Sequence, residues 1–401
     1  VYVNRQVNDE GFFDLGGGSQ VNQYVGHFNV MFTPWKHLTI VPALRLEHQE
    51  QDGVTFFTET VVTNAAAPAA LEDIENRRLR RFTDVTESLT ARYTGLTNWA
   101  FFARGEWLQG QGELNEREFD VADENSPRTL LARHTDSERF VQKYTIGANW
   151  YPSRQANFGA QYFFRSRRND YDHLQDSTVY DPPPPPVNTN NLYPAFIREQ
   201  NFTTHDVGCR ATLRPLGNLT LVSRYDFAIT TYDTRGDINS FGVPLQSVES
   251  ARAVAHIFSQ SVSWSPLPQF YLQGSLSYAL QETETPASRL TGGAANLVQD
   301  ANNDYWNATV LAGVVLNRVS DLQAQYFYYR ADNYDPANAN VSLPYDASAE
   351  QHGITLTLVN RLRRNLLWRI QYGYFTGNDS TSGRNNDYDA HLVYSSWQLL
   401  F

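Results

Sequence analysis

Cysteine is nearly absent from this chain of 401 residues. Cys209 stands alone, so an intramolecular disulfide, a cysteine-based zinc cluster and a Cys-Xaa-Xaa-Cys-His haem-attachment site are all excluded. Lysine is almost as scarce: Lys36 and Lys143 are the only two among 32 basic residues. No stretch of about 18 apolar residues occurs, which excludes a membrane-spanning helix. A basic excess is also missing. The formal net charge of −11 argues against a nucleic-acid partner, because neutralising phosphates takes a basic face. Gly16, Gly17 and Gly18 are not followed by the lysine of a phosphate-cradling loop. The nine histidines, His27, His134, His205 and His391 among them, have no serine, aspartate or second histidine placed as nucleophile and base. No enzymatic activity and no cofactor are expected.

What the chain does have is aromatic residues in alternation. Tyr (23) and Phe (23) far outnumber the single Met, and aromatics make up 13% of the chain. From Leu38 onward, Leu38, Ile40, Pro42, Leu44 and Leu46 share one parity, while Thr39, Val41, Ala43, Arg45 and Glu47 share the other. Successive strand side chains point to opposite faces, so such a run has one apolar and one largely polar face. The pattern returns in Trp99, Phe101, Ala103 and Trp107, then in Tyr144, Ile146, Ala148 and Trp150, and then in Phe158, Ala160, Tyr162 and Phe164. It continues through Val207 to Leu213, Leu219 to Phe227, Phe258 to Trp264, Phe270 to Leu280, Trp306 to Leu316, Leu322 to Tyr328, Ile354 to Leu358 and Trp368 to Tyr374. The mean hydropathy of −0.49 is compatible with a membrane wall, because only every second residue of a barrel strand faces lipid.

Seven hairpins follow this rule, with tight turns near Trp35, Leu96, Ser153, Leu216, Leu267, Arg318 and Arg363. Between them lie segments rich in Asp, Asn, Pro and Gly (51–81, 111–137, 170–197, 233–250, 284–303 and 333–349) that read as long loops. In a soluble sandwich the outward face would be polar; here large aromatics crowd one parity, and Arg, Gln, Thr, Asn and Gly the other. The expectation is an all-β fold: one domain over 1–401, a transmembrane antiparallel up-and-down β-barrel with short periplasmic turns and long extracellular loops. Seven hairpins, a terminal run from Asn386 to Phe401 and a strand over Val1 to Gln6 bring the count to about sixteen. Val1 opens directly into strand pattern, as in a processed or truncated chain, so secretion is inferred.

The tail places Val393, Ser395, Trp397, Leu399 and Phe401 on one parity. It resembles the C-terminal strand of bacterial outer-membrane proteins, whose terminal aromatic serves as a signal to the barrel-assembly machinery; Leu399 departs from that pattern. The resemblance extends to porin-like architecture along the whole chain. It implies residence in the outer membrane among lipid and lipopolysaccharide, assembly through Phe401 and, by analogy with sixteen-stranded porins, a homotrimer.

On the parity assigned to the lumen lie Arg45, Arg92, Arg104, Lys143, Arg165, Arg167, Arg210, Arg224, Arg361 and Arg369, together with Glu47, Glu106 and Asp226. The set resembles the arginine column of general porins. Guanidinium stays charged and grips carboxylate or phosphate in two places, which suits a pore for small hydrophilic, anionic solutes. The plainer alternative is the polar wall of a wide, wet barrel. Phe102, Phe163, Tyr271, Phe327, Tyr329 and Phe375 share the luminal parity and are candidates for a sugar-stacking slide. Asp233, Asp237 and Asn239 are candidate calcium ligands, and Pro182 to Pro186 an extended loop spacer. The tryptophans read mostly as interfacial anchors. Two other functions stay open: a sheath around an inserted multihaem cytochrome, as in outer-membrane electron conduits, and a barrel displaying adhesin or receptor loops. Gly147, Gly159, Gly208, Gly313 and Gly373 fit close approach of an inserted partner, and equally fit strand bending.

Overall fold

The computed structural model describes residues 12–61, 70–121, 128–178, 197–236, 247–284, 301–333, 348–381 and 383–399. Its elements are all strands: β1 (Phe12–Asn29), β2 (Phe32–Trp35), β3 (Leu38–Val61), β4 (Ala70–Tyr93), β5 (Trp99–Asp120), β6 (Arg128–Ser153), β7 (Ala156–Thr178), β8 (Ile197–Leu216) and β9 (Leu219–Gly236). They continue as β10 (Ser247–Leu267), β11 (Phe270–Glu284), β12 (Ala301–Asn302), β13 (Tyr305–Val315), β14 (Ser320–Asp332), β15 (Ser348–Arg363), β16 (Leu366–Asp379) and β17 (Tyr388–Leu399).

All seventeen segments belong to one sheet, and consecutive passes pair antiparallel. β1 and β2 run along the same neighbour, β3, and β12 and β13 along the same neighbour, β11, so the seventeen segments make fifteen passes. The strand expected over Val1 to Gln6 lies outside the described residues, as do Phe401 and the proline run. Tight turns occur where the alternation places them, at 36–37, 95–98, 154–155, 217–218, 268–269, 316–319 and 364–365. His37 (φ 73°) and Asn98 (φ 65°) take the left-handed conformation that reverses the chain, which asparagine tolerates better than most side chains.

Strand length differs from expectation. About 9–11 tilted residues cross a bilayer, yet β3 and β4 have 24 residues each and β6 has 26. Much of the sequence read as loop, including 51–61, 70–81, 111–120, 128–137 and 170–178, is paired strand. The opposite side of the sheet is lower, with 11 residues in β13 and 12 in β17.

Register carries the alternation from strand to strand. Ala103, Ile146, Tyr162, Val207 and Phe227 form one cross-strand row, and Leu272, Ala312, Ala324, Leu356, Tyr372 and Val393 another. These rows point away from the lumen and are open to the surroundings: Ile146 is 59% exposed and Leu356 48%. In water, a continuous apolar surface of this extent would aggregate; in a bilayer it is the wall. Aromatic rings close the belt at both rims. Trp99 and Trp150 stack at 5.9 Å and Trp368 and Trp397 at 5.7 Å toward the tight turns, and Trp107 meets Tyr144 at 5.9 Å and Tyr278 meets Trp306 at 4.1 Å toward the other end.

Candidate functional site

The face opposite the belt holds the site, and its charge is one-sided. Across β10 to β14 the luminal parity within the belt is mostly hydroxyl and amide: Ser259, Ser261, Gln273, Ser275, Thr309 and Gln325, with Asp321 near the tight turns. Across β3 to β9 it is ionic. Arg45 pairs with Glu47 at 2.8 Å, Arg104 with Glu106 at 2.8 Å and Arg224 with Asp226 at 2.6 Å. In each pair the partners lie two residues apart on one strand, where same-face side chains are neighbours.

Register then brings the cations together. Glu106 faces Lys143, and Lys143 faces Arg165, on three adjacent strands. Arg167 follows on the same face of β7, and Arg210 stands directly opposite Arg224. Lys143 lies 4.5 Å from the Phe163 ring centroid and Arg167 lies 5.4 Å from that of Phe202, both cation–π contacts. Among the described residues, Arg92, Lys143, Arg165, Arg167 and Arg210 have no acid within ion-pair reach. Above the belt, burial lowers the pKa of Arg167, and the like charges of Arg139 and Arg165 add to the fall. Arg361 and Arg369, on β15 and β16, share the luminal parity but stand apart from this group, beyond the neutral strands.

Several residues of the site were not singled out from the sequence. Arg139 reaches from β6 across Gly110 to Oδ2 of Asp84 on β4, which is 6% exposed and whose Oδ1 has no hydrogen-bond partner. Asn169, 4% exposed, accepts from Arg167 Nε at 3.0 Å. Asp206, on β8, faces the same lumen between Lys143 and Asp226. Carrying the luminal parity past the apolar stretches would have found them: Lys143, Val141 and Arg139 alternate without a break.

The luminal glycines and aromatics turn out to be complementary. Phe102 lies over Gly147, Tyr271 over Gly313, and Phe375 over both Gly353 and Gly373, where an added Cβ would come within 2.7 Å of the ring. Asn149 covers Gly159 and the Asp226 carboxylate covers Gly208, each 2.8 Å from where a Cβ would stand. Rings and polar groups flattened on glycine line the wall without projecting from it. Tyr271 also donates to Asp321 at 2.9 Å. Of the suggested calcium ligands, Asp237 and Asn239 lie outside the described residues, and no metal-holding cluster occurs among the described ones.

The outer face has a second order that the sequence did not show. Four tyrosines sit against Nδ1 of a histidine on the next strand: Tyr162 with His205 (2.8 Å), Tyr225 with His256 (2.9 Å), Tyr326 with His352 (2.8 Å) and Tyr372 with His391 (2.9 Å). In each pair the partners are diagonal neighbours, so sequence spacing cannot reveal them.

No family model and no curated protein matches the chain. Solved structures do. The ferric preacinetobactin receptor BauA of Acinetobacter baumannii superposes with TM-score 0.53 at 10% identity, covering 94% of this chain and 64% of that one. The ferric yersiniabactin uptake receptor FyuA of Yersinia pestis gives 0.52 at 11% identity, over 93% and 61%. The ferric citrate transporter FecA in its unliganded form gives 0.52 at 8%, over 93% and 60%. The chain thus spans less than two thirds of the length of each of these structures, and the likeness is one of fold: an antiparallel up-and-down barrel of the kind built for the outer membrane.

Proposed function

We propose that this chain is an outer-membrane transport barrel, and that small hydrophilic, anionic solutes cross along the charged half of its lumen. The observation that carries the reading is the run of cations without acidic partners, Lys143, Arg165, Arg167 and Arg210, on one side of the lumen, next to a neutral hydroxyl and amide stretch on β10 to β14. Fixed guanidinium groups on one side of a wet passage attract anions without gripping them on all sides, which favours passage over storage. The test is single-channel conductance in a planar bilayer, with the reversal potential read in a salt gradient. Anion-favouring, ohmic steps are expected, with the reversal potential moving toward zero in a Lys143→Gln, Arg165→Gln, Arg167→Gln variant. A closed bilayer, or a selectivity untouched by the triple change, would overturn it.

A receptor for a bulkier bound solute is the second reading, favoured by the tall wall of β3 to β7 and in line with the ferric preacinetobactin and ferric yersiniabactin named for BauA and FyuA. A cytochrome sheath loses one support, since the luminal glycines are already covered by side chains of this chain. It predicts co-purifying haem, which the absorption spectrum of the same preparation reads. Assembly by the barrel machinery, contact with lipopolysaccharide and trimer formation belong to this proposal as expected partners.

A further inference from the structure

We propose a specific lipid site on the outer face of β8 to β11, which takes one acyl chain in a groove and the phosphate of the headgroup at His256. It rests on the membrane placement of the barrel and not on the solute it carries. The groove encloses about 730 Å³, and its floor is made of small or polar residues, Cys209, Ala211, Ser223 and Gln260, where neighbouring positions of the belt hold large ones. Ser223 donates to Gln260 at 2.5 Å, so these two polar groups satisfy each other and leave an apolar trough. Phe258, Leu276 and Tyr278 wall it. A methylene chain fits such a trough, and the belt around it supplies that chain.

The upper end is where a headgroup would sit. Tyr225 lies 2.9 Å from His256 Nδ1, and Phe227 packs on the same imidazole with centroids 4.7 Å apart. On a lipid-facing surface the phenol proton needs an acceptor, and Nδ1 is the one in reach, so the ring proton of neutral imidazole falls on Nε2. The sister pair at His352 agrees: its Nε2 sits 3.4 Å from a Glu350 carboxylate oxygen. Among the described residues His256 Nε2 meets no such acid. Arg252 lies on the same face of β10, two same-face positions from His256 and directly opposite Glu284, with Glu282 opposite Val254 and diagonal to His256. Nε2–H above an acyl trough is the donor placed for a phosphate ester, with the Arg252 guanidinium offsetting the carboxylates of β11. The other three pairs have no comparable trough beneath them among the larger grooves described.

The experiment is native mass spectrometry of the full chain in alkyl maltoside, titrated with phosphatidylglycerol, with diacylglycerol of the same chains, or with inorganic phosphate. Retention of one phosphatidylglycerol is expected, with weak retention of diacylglycerol and none of phosphate. His256→Phe should lower retention several-fold while His391→Phe leaves it unchanged. Alkylation of Cys209, the sole thiol and exposed in the groove, with a bulky maleimide should abolish retention while gel mobility still reports a folded barrel. Equal retention of diacylglycerol would show that the headgroup is not read. Retention that survives alkylation would show that the groove is not the site. Either outcome overturns the proposal, as does phosphate binding equal to that of the lipid.

Discussion

Single residues do two kinds of work in this wall, and both can be tested by substitution. Gly313 leaves the space that Tyr271 occupies, and the Tyr271 hydroxyl is anchored to Asp321 at 2.9 Å and accepts from Gln323 at 2.9 Å. Gly313→Leu must displace the ring and leave Asp321 with only its hydrogen bond from Gln323 at 2.8 Å, its Oδ1 already having no partner. Overpacking and a lost hydrogen bond together should cost about 2–4 kcal/mol, read as a lower urea midpoint for unfolding from micelles. An unchanged midpoint would mean the ring is free to leave. Arg139 does the other kind of work, compensating a nearly buried carboxylate. Arg139→Ala should destabilise the barrel by up to about 3 kcal/mol, tempered by the partial exposure of the guanidinium, and Asp84→Asn added to it should recover most of the loss. If the double variant is no better than the single one, the pair does not act through charge.

At the scale of strands, what was legible follows from which faces meet which solvent. Where one face meets lipid and the other water, period-two alternation is strong, and the seven tight turns and the luminal parity of Arg104, Lys143 and Arg224 can be read from the chain. Beyond the belt both faces meet water. On β5, Glu113, Asn115 and Arg117 share one parity and Leu114, Glu116 and Glu118 the other, so the alternation fades although pairing with β6 continues to Asp120. Charged, asparagine-rich sequence therefore reads as loop while the backbone ladder runs on. The site was legible to the same degree: cations in and just above the belt were found, and Arg139 and Asp84, farther out, were not. The Tyr–His pairs were hidden for another reason, since they join strands whose register no single strand encodes. The extended ladder has a direct consequence. Backbone amides of 111–118 and 135–140 should resist hydrogen exchange for hours in the detergent-solubilised protein, because these residues pair with strands on both sides. Complete exchange within seconds would return these segments to loops.

Across the whole molecule, height and charge fall on the same side. The tall strands β3 to β7 carry most of the luminal cations and the low strands β13 and β14 carry few charges, so a solute approaching over the low side meets a cationic wall opposite. The apolar belt between the two aromatic rims sets how this asymmetric body sits in a membrane. On β10 the belt runs from Trp264 to His256. At about 3.4 Å per residue that is about 27 Å along the strand, or about 20 Å along the bilayer normal at the tilt of barrel strands. These nine residues are the low end of what a tilted strand needs to cross a bilayer, and the resulting height is short beside the hydrocarbon thickness of about 30 Å in a typical bilayer. A short belt in a thick bilayer must thin the lipid around it or leave polar groups in hydrocarbon, at a cost of fractions of a kcal/mol per Å of mismatch. Refolding from urea into dilauroyl phosphatidylcholine vesicles should therefore be faster and more complete than into dioleoyl vesicles, read by heat-modifiable gel mobility. Equal yields and rates in the two lipids would mean that the rims, and not the distance between them, are misassigned.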